Sequence, residues 1–432
     1  MCDMSDFNNT DPGRRNFLKS GAAGAVAFPA ILSGMQAAKS IKVGLVGCGG
    51  RGTGAAQQAL KADDYAELTA VADVDMQRID QSLARLQKTA GEKVKVDSTK
   101  KYVGLDAYRK VVDAGVDVVL LATPPGFRPD HIRYCIEQGK HVFCEKPDAV
   151  DAPGCRSVLE TSELAAKKDL SLVAGFCWRY SNFIRETFNQ VHSDAIGDII
   201  AYHATYYTGP VKPMPPASER PAGMGDVEWQ IRNWYNFCWT CGDSLVEQAV
   251  HSVDKVAWAF KDQPPISCVA VGGRQIPQPS GNIYDHFEVN YLYPNNVRAF
   301  VANRQITGCH NENADYILGT KGACLIGGKG SQPPRIEGQN PWTFSGQRND
   351  MYQAEHDELF AAIRRGKPIN DGKRMTTSTL LSIMGRMAAY TGQQITWEQA
   401  LNSKEEVFPK NLDWSGSLPE APMPMPGRTK FI

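Results

Sequence analysis

An apolar, β-branched run, Ile41 to Val46, ends in Gly47-Cys48-Gly49-Gly50-Arg51-Gly52 and passes at once into a helical pattern through Thr53 to Leu60. A strand that turns on G-x-G-x-x-G into a helix is suited to a pyrophosphate. One glycine permits the tight turn, one lets the backbone approach the anion, one lets helix and strand pack closely, and the helix N-terminus faces the negative charge. A second strand-like run, Glu67 to Ala72, ends in Asp73, 21 residues after Gly52. A carboxylate at that spacing meets the adenosine ribose hydroxyls of a dinucleotide and repels a 2′-phosphate. The expected cofactor is therefore NAD rather than NADP, while Arg51, one residue inside the turn, is a cation that attracts a phosphate and works against that preference.

A nicotinamide cofactor takes a hydride, and the alcohol that gives it must also lose a proton. Glu145-Lys146-Pro147 follows the short strand pattern His141 to Cys144, and Pro147 biases Lys146 toward an extended conformation that presents its side chain. Between Gly242 and Phe260, read as one helix, Glu247, His251, Asp254 and Trp258 share a stripe beside an apolar face of Val246, Val250, Val253, Ala257 and Phe260. His251 is the natural base near neutrality, Lys146 stabilises the oxygen that loses its proton, and Glu247 orients the pair. Arg179, Tyr180 and Asp254 are candidates for substrate hydroxyls. Trp234, in the aromatic-rich stretch Arg232 to Trp239, suits the face of a sugar ring.

The elements that must position these groups follow from pattern. Helical stretches at Tyr108–Ala114 and His131–Gln138 alternate with the apolar run Val116–Ala122, broken by Thr123-Pro124-Pro125, and with the strand at His141. Such repeats predict a doubly wound, mostly parallel Rossmann sheet with its crevice at the strand C-terminal ends. After a helix from Ala152 to Lys168, strand patterns at Ile199–Tyr207, Ser267–Gly272, Phe287–Tyr293 and Val297–Asn303 predict an α+β domain with a large open, mostly antiparallel sheet. The expected domains are an NAD-binding domain over 39–150, a substrate and oligomerisation domain over 151–407, and a Pro-rich, surface-lying tail over 408–432.

Residues 1–38 read as an export signal. Arg14-Arg15-Asn16-Phe17-Leu18-Lys19 precedes a short Ala/Gly-rich run, the pattern of the twin-arginine route, which carries folded proteins to the periplasm. The run is too short and small-sided for a stable span, so no membrane segment is expected in the mature chain. Lys+Arg 47 against Asp+Glu 47 gives no global field for nucleic acid. Eleven cysteines diluted over 432 residues do not make a disulfide scaffold. The lone Cys238/Cys241 pair reads as packing. His310, Glu312, His356 and Asp357 match no ligand spacing, and no metal is expected.

The glycine turn, Ala122-Thr123-Pro124, Gly139-Lys140-His141-Val142, Glu145-Lys146-Pro147 and the helix carrying His251 together resemble the glucose-fructose oxidoreductase, inositol dehydrogenase and rhizopine-catabolism family, Gfo/Idh/MocA. The resemblance covers nearly everything after residue 38. It implies a sugar, glycoside or cyclitol substrate, cofactor contacts from Gly47, Gly49, Gly50, Arg51, Gly52, Asp73, Thr123, Pro124, Glu145 and Lys146, and a homo-oligomer built on the large sheet. Glu247 and Ala249 depart from the family's usual Asp and Gly, so the reach of the acid differs. Three activities are compatible: a dehydrogenase acting on a ring hydroxyl, with C3 of a hexose expected; a redox-neutral glycosidase with tightly bound NAD; and a non-catalytic sensor, against which Lys146, Glu247 and His251 argue. Export favours a held cofactor, since no NAD pool is expected outside the cytoplasm.

Overall fold

The computed structural model of the protein describes residues 39–328 and 332–432. The expected export signal lies outside them. A six-stranded sheet is formed by β1 (Ile41–Val46), β2 (Ala66–Asp73), β3 (Lys101–Val103), β4 (Val118–Leu121), β5 (His141–Cys144) and β6 (Leu172–Ala174). Its order is β3-β2-β1-β4-β5-β6, with every pairing parallel. The order reverses between β1 and β4, and a ligand crevice opens at such a point because the following connections leave to opposite faces. The crossovers are α1 (Gly50–Ala62), α2 (Met76–Ala90), α3 (Ala107–Asp113), α4 (Arg128–Glu137) and α5 (Ala152–Lys167). β4 and β6 are buried at every position, as strands covered on both faces must be. The sheet runs past the expected boundary at residue 150, because α5 is the crossover that returns β6 to its edge.

Helix α6 (Asn182–His192) leads into the second sheet, formed by β7 (Ile199–Thr208), β8 (Ser267–Gly273), β9 (His286–Leu292), β10 (Arg298–Gln305), β11 (Glu312–Gly319), β12 (Gly322–Gly327), β13 (Arg335–Gly338), β14 (Trp342–Thr343) and β15 (Ile395–Thr396). Its nine strands run β14-β13-β12-β11-β7-β10-β9-β8-β15. Only β7 and β10 pair in parallel. The register sets Cys324, Ile317, Tyr202, Ala299, Tyr291 and Cys268 in one row across six strands, and all are buried. The next row, on the opposite face, is Leu325, Tyr316, His203, Phe300, Asn290 and Val269, each partly or fully exposed.

Five short or broken helices, α7 (Asp226–Arg232), α8 (Cys238–Cys241), α9 (Ser244–Glu247), α10 (Val250–Ala259) and α13 (Trp397–Asn402), join α11 (Met351–Arg365) and α12 (Gly372–Thr391) around the inner face. α12 is buried nearly all round and carries Arg386, which has no exposed surface. Its guanidinium donates to the carbonyls of Val150 (2.7 Å) and Gly242 (3.1 Å) and pairs with Glu405 at 3.0 Å. A buried cation is tolerated only with such partners. Cys238 and Cys241 are buried, unbridged thiols packed in this same region. Among the described residues no group of three His, Cys, Asp or Glu side chains gathers as a metal site, and no helix is long and apolar enough to cross a membrane.

Arg386→Ala would leave two buried carbonyls and a carboxylate without their donor. The expected cost is about 3 kcal/mol, read as a lower urea midpoint at unchanged slope.

Candidate active site

The glycine turn closes by contact. Gly47 has φ +95°, and a Cβ there would lie 2.7 Å from the Ala122 backbone at the end of β4. A Cβ on Gly52 would lie 1.8 Å from the Gly47 carbonyl oxygen. These two glycines let β1, β4 and α1 meet. Gly49 and Gly50 differ, since a Cβ on either would meet nothing within 4 Å. They border open space at the N-terminus of the 13-residue helix α1, where backbone N–H groups and the helix dipole favour an anion. Asp73 ends β2 on the same rim. Its carboxylate accepts from the Cys48 N–H at 2.7 Å and the Asp75 N–H at 3.2 Å, while burial pushes its pKa up. Both hydrogen bonds fix the carboxylate relative to the turn.

A cavity of about 240 Å³ runs along these edges, lined by the glycine turn, Asp73, Thr123 and Pro124 on one side and by Arg232, Trp234 and Tyr235 on the other. Open backbone at Gly49 and Gly50, a helix N-terminus and a held carboxylate fit a dinucleotide with free ribose hydroxyls. Arg78, which sequence reading passed over, also lines the cavity. Only its position four residues after Val74, at the start of α2, pointed to it.

Arg51 turns from the phosphate side toward Glu145, to which its Nε donates, and its guanidinium lies 3.4 Å from Glu355 on α11. Glu355 is fully buried, and burial beside Glu145 pushes its carboxyl well up, opposed by Arg51. Arg51 lines the cavity and also links the glycine turn to the residue before Lys146. Glu145 itself sits in that ion pair, 6% exposed.

Lys146, at the end of β5, meets Glu247 of α9 and His251 of α10. The Lys146–Pro147 peptide is cis. Lys146 Nζ donates to the Glu247 carbonyl and to Glu247 Oε1 at 3.0 Å. The other Glu247 oxygen accepts from the Gln248 amide, whose oxygen accepts from Tyr206 OH at 3.0 Å. His251 has a buried Nδ1 with no partner. Burial, then the ammonium groups of Lys146 and Lys255, push its pKa well below the ordinary 6.5. The imidazole is therefore neutral near pH 7, the state a proton acceptor needs, while its unpartnered Nδ1 is shielded from solvent.

Two expectations need correction. The segment from Gly242 to Phe260 is not one helix: α9 ends at Glu247 and α10 starts at Val250. The Ala249 N–H reaches back five residues to the Ser244 carbonyl, a widened turn of the kind that often marks functional sites. Arg179, Tyr180 and Asp254 face inward rather than toward a substrate. Arg179 forms a bidentate pair with Asp254 and a second pair with Asp262, Ser378 donates to Asp254 at 2.8 Å, and Tyr180 OH donates to Asp371 at 2.9 Å. All three are at most 3% exposed. Their partners lie far along the chain, so spacing could not reveal that these groups were already committed. Trp234 does line the cavity, stacked on Tyr235 with centroids 3.7 Å apart.

Residues 41–176 match the family model GFO_IDH_MocA, described as oxidoreductase family, NAD-binding Rossmann fold. Inositol 2-dehydrogenase 4 of Saccharopolyspora erythraea is 31% identical over 176 residues, 40% of this chain and 48% of that protein. An inositol 2-dehydrogenase of Acidothermus cellulolyticus is 24% identical over 251 residues, 58% of this chain and 62% of that one. The chain thus spans about half to three-fifths of the length of these relatives. Among solved structures, levoglucosan dehydrogenase with NADH and levoglucosan superposes with a TM-score of 0.66 at 16% identity, over 83% of this chain and 99% of that one. Aldose-aldose oxidoreductase from Caulobacter crescentus gives 0.62 at 18%, over 83% and 100%. At these identities the likeness is one of fold.

The contrast among the glycines predicts a separation of effects. Gly50→Ala should leave the unfolding midpoint unchanged but weaken NAD binding about ten-fold or more in calorimetric titration, whereas Gly52→Ala should lower stability as well, because its methyl has no room.

Proposed function

We propose, for a chain whose residues 41–176 carry the NAD-binding Rossmann domain of the Gfo/Idh/MocA oxidoreductases, that it oxidises a ring hydroxyl of a sugar, glycoside or cyclitol with NAD as hydride acceptor. The observation that carries the reading is the meeting of Lys146, Glu247 and His251 at the end of β5, close to Tyr235 of the cleft lining, which Glu247 influences electrostatically. Bound NAD supplies a carbon that accepts hydride. The chain supplies the rest. Lys146 donates a hydrogen bond to the hydroxyl oxygen as it gains negative charge, His251 receives the proton, and Glu247, fixed by Gln248 and Tyr206, holds the ammonium group in place. Trp234 and Tyr235 offer an aromatic face to a ring. The names of the similar dehydrogenases support a polyhydroxylated substrate, and Asp73 supports NAD over NADP.

Oxidation at C3 of a hexose is the specific form we propose, since a 3-keto group acidifies the neighbouring C–H. Elimination of the glycosidic group, water addition and return of the hydride would then give a redox-neutral glycosidase. Arg14-Arg15 supports this second reading, because export to the periplasm would part the enzyme from any NAD pool. The exposed row across β8, β9, β10, β7, β11 and β12 supports a homo-oligomer through the large sheet.

Lys146→Ala and His251→Ala are each expected to lower sugar oxidation about 100-fold or more with bound nucleotide retained. A fully active His251→Ala protein would remove the imidazole from the mechanism. Since the His251 pKa lies below 6.5, the imidazole stays neutral as pH falls through that value. The acid limb of kcat/KM should therefore inflect below pH 6.5, and an inflection above it would contradict the assigned base.

The reaction class is decided by incubating holoprotein with glycosides and no added cofactor. Many turnovers with free sugar released would indicate the redox-neutral route. One stoichiometric turnover that resumes on adding NAD would indicate a dehydrogenase. No reduction by any sugar or cyclitol would sink both.

A further inference from the structure

The nucleotide cleft has a roof, and the roof is tied down by the C-terminal strap. The floor comes from the Rossmann loops. Opposite it, Arg232 crosses to Asp75, just beyond the end of β2, with a 2.8 Å ion pair. Trp414 of the tail lies with its ring 6.0 Å from the Arg232 guanidinium carbon. Phe408 packs edge-on against Phe127 at 5.1 Å, and both rings contact Trp239. The strap is also tied to α7, where Gln230 donates to the Leu418 carbonyl at 2.7 Å and Asp226 accepts from the Leu418 N–H at 3.0 Å. Val74, Leu105 and Phe127 from the floor share one apolar cluster with Trp229, Trp239, Phe408 and Trp414 from roof and strap. The tail expected to lie passively on the surface is half of a clamp.

The cleft between floor and roof measures about 240 Å³ and is partly open to solvent. A second space of about 440 Å³ beside Phe408 shares Leu105, Tyr108, Phe127 and His131 with it. A dinucleotide lying along the glycine turn and Asp73 is crossed on its open side by Arg232 and flanked by the strap. We infer that Arg232, Phe408 and Trp414 form a retaining clasp that makes the dinucleotide a resident of the protein rather than an exchanging cosubstrate. The inference rests on the NAD reading above and adds what holds the cofactor in.

The test measures release, not catalysis. Wild type, Trp414→Ala and Phe408→Ala holoproteins are passed through desalting into excess unlabelled NAD, and loss of preloaded radiolabelled NAD is followed with time. Each lost aromatic or cation–π contact is worth upward of about 0.5 kcal/mol, so release should be faster by at least about two-fold in each variant. If a variant fails to fold, a protease site inserted after the exposed Asn411 lets folded holoprotein be nicked instead, and nicking should speed release likewise. Release at the wild-type rate in the folded variants, or in nicked protein, would overturn the clasp while leaving the NAD site standing. A wild type that takes up no NAD would overturn the NAD reading and the clasp with it.

Discussion

An ammonium and a carboxylate, both under a tenth exposed, face one another between the end of β5 and α9, and the architecture of the site follows from the need to keep them together. Removing either charge from water costs several kcal/mol unless its partner is in place. Lys146 leaves the end of β5 in the Rossmann half, while Glu247 ends α9 in the other half, so the pair is satisfied only when the halves dock. The break after Glu247 serves the same end: the chain leaves helical geometry there, its carbonyl accepts from the ammonium group, and His251 starts afresh on α10. That widened turn lets one ammonium group reach both the carbonyl and the carboxylate of Glu247.

Much of the Rossmann half was legible because its signals are local. β1, its glycine turn and β5 lie where spacing and composition put them, since a turn on glycine acts within a few residues. α12 was not legible. It is buried nearly all round and mixes Thr, Ser, Arg and Tyr with its apolar residues, so it has no single stripe to read. β11 to β14 were hidden for another reason: their Gly- and charge-rich residues have weak strand character alone and gain it by pairing outward from β7. At the site, Lys146, Glu247 and His251 were readable as chemistry. The prior commitment of Arg179 to Asp254 and Asp262 was not, because it is a fact of tertiary contact between residues 75 and 83 apart.

The charges behind the site form a frame of their own. Arg51 joins Glu145 and Glu355, Lys255 joins Asp315 on β11 and lies near the Trp178 ring, and Arg179 joins Asp254 and Asp262. Each links an element near the cleft to one remote from it. Such pairs add little net stability over apolar substitutes but make misplacement costly, since a shifted partner leaves a buried charge alone. The position of His251 is thereby constrained by Lys255 as well as by its own helix.

Floor and clasp lie far apart along the chain: Phe408 follows Gly47 by about 360 residues. At ribosomal speeds of roughly 5–20 residues per second, about 20 to 70 s separate their synthesis. The roof residue Arg232 emerges midway, about 185 residues after Gly47, yet the strap that ties the roof down is still unmade. The order of synthesis thus gives the nascent chain a loading period in the compartment where it is made, and making the strap is what shuts the door.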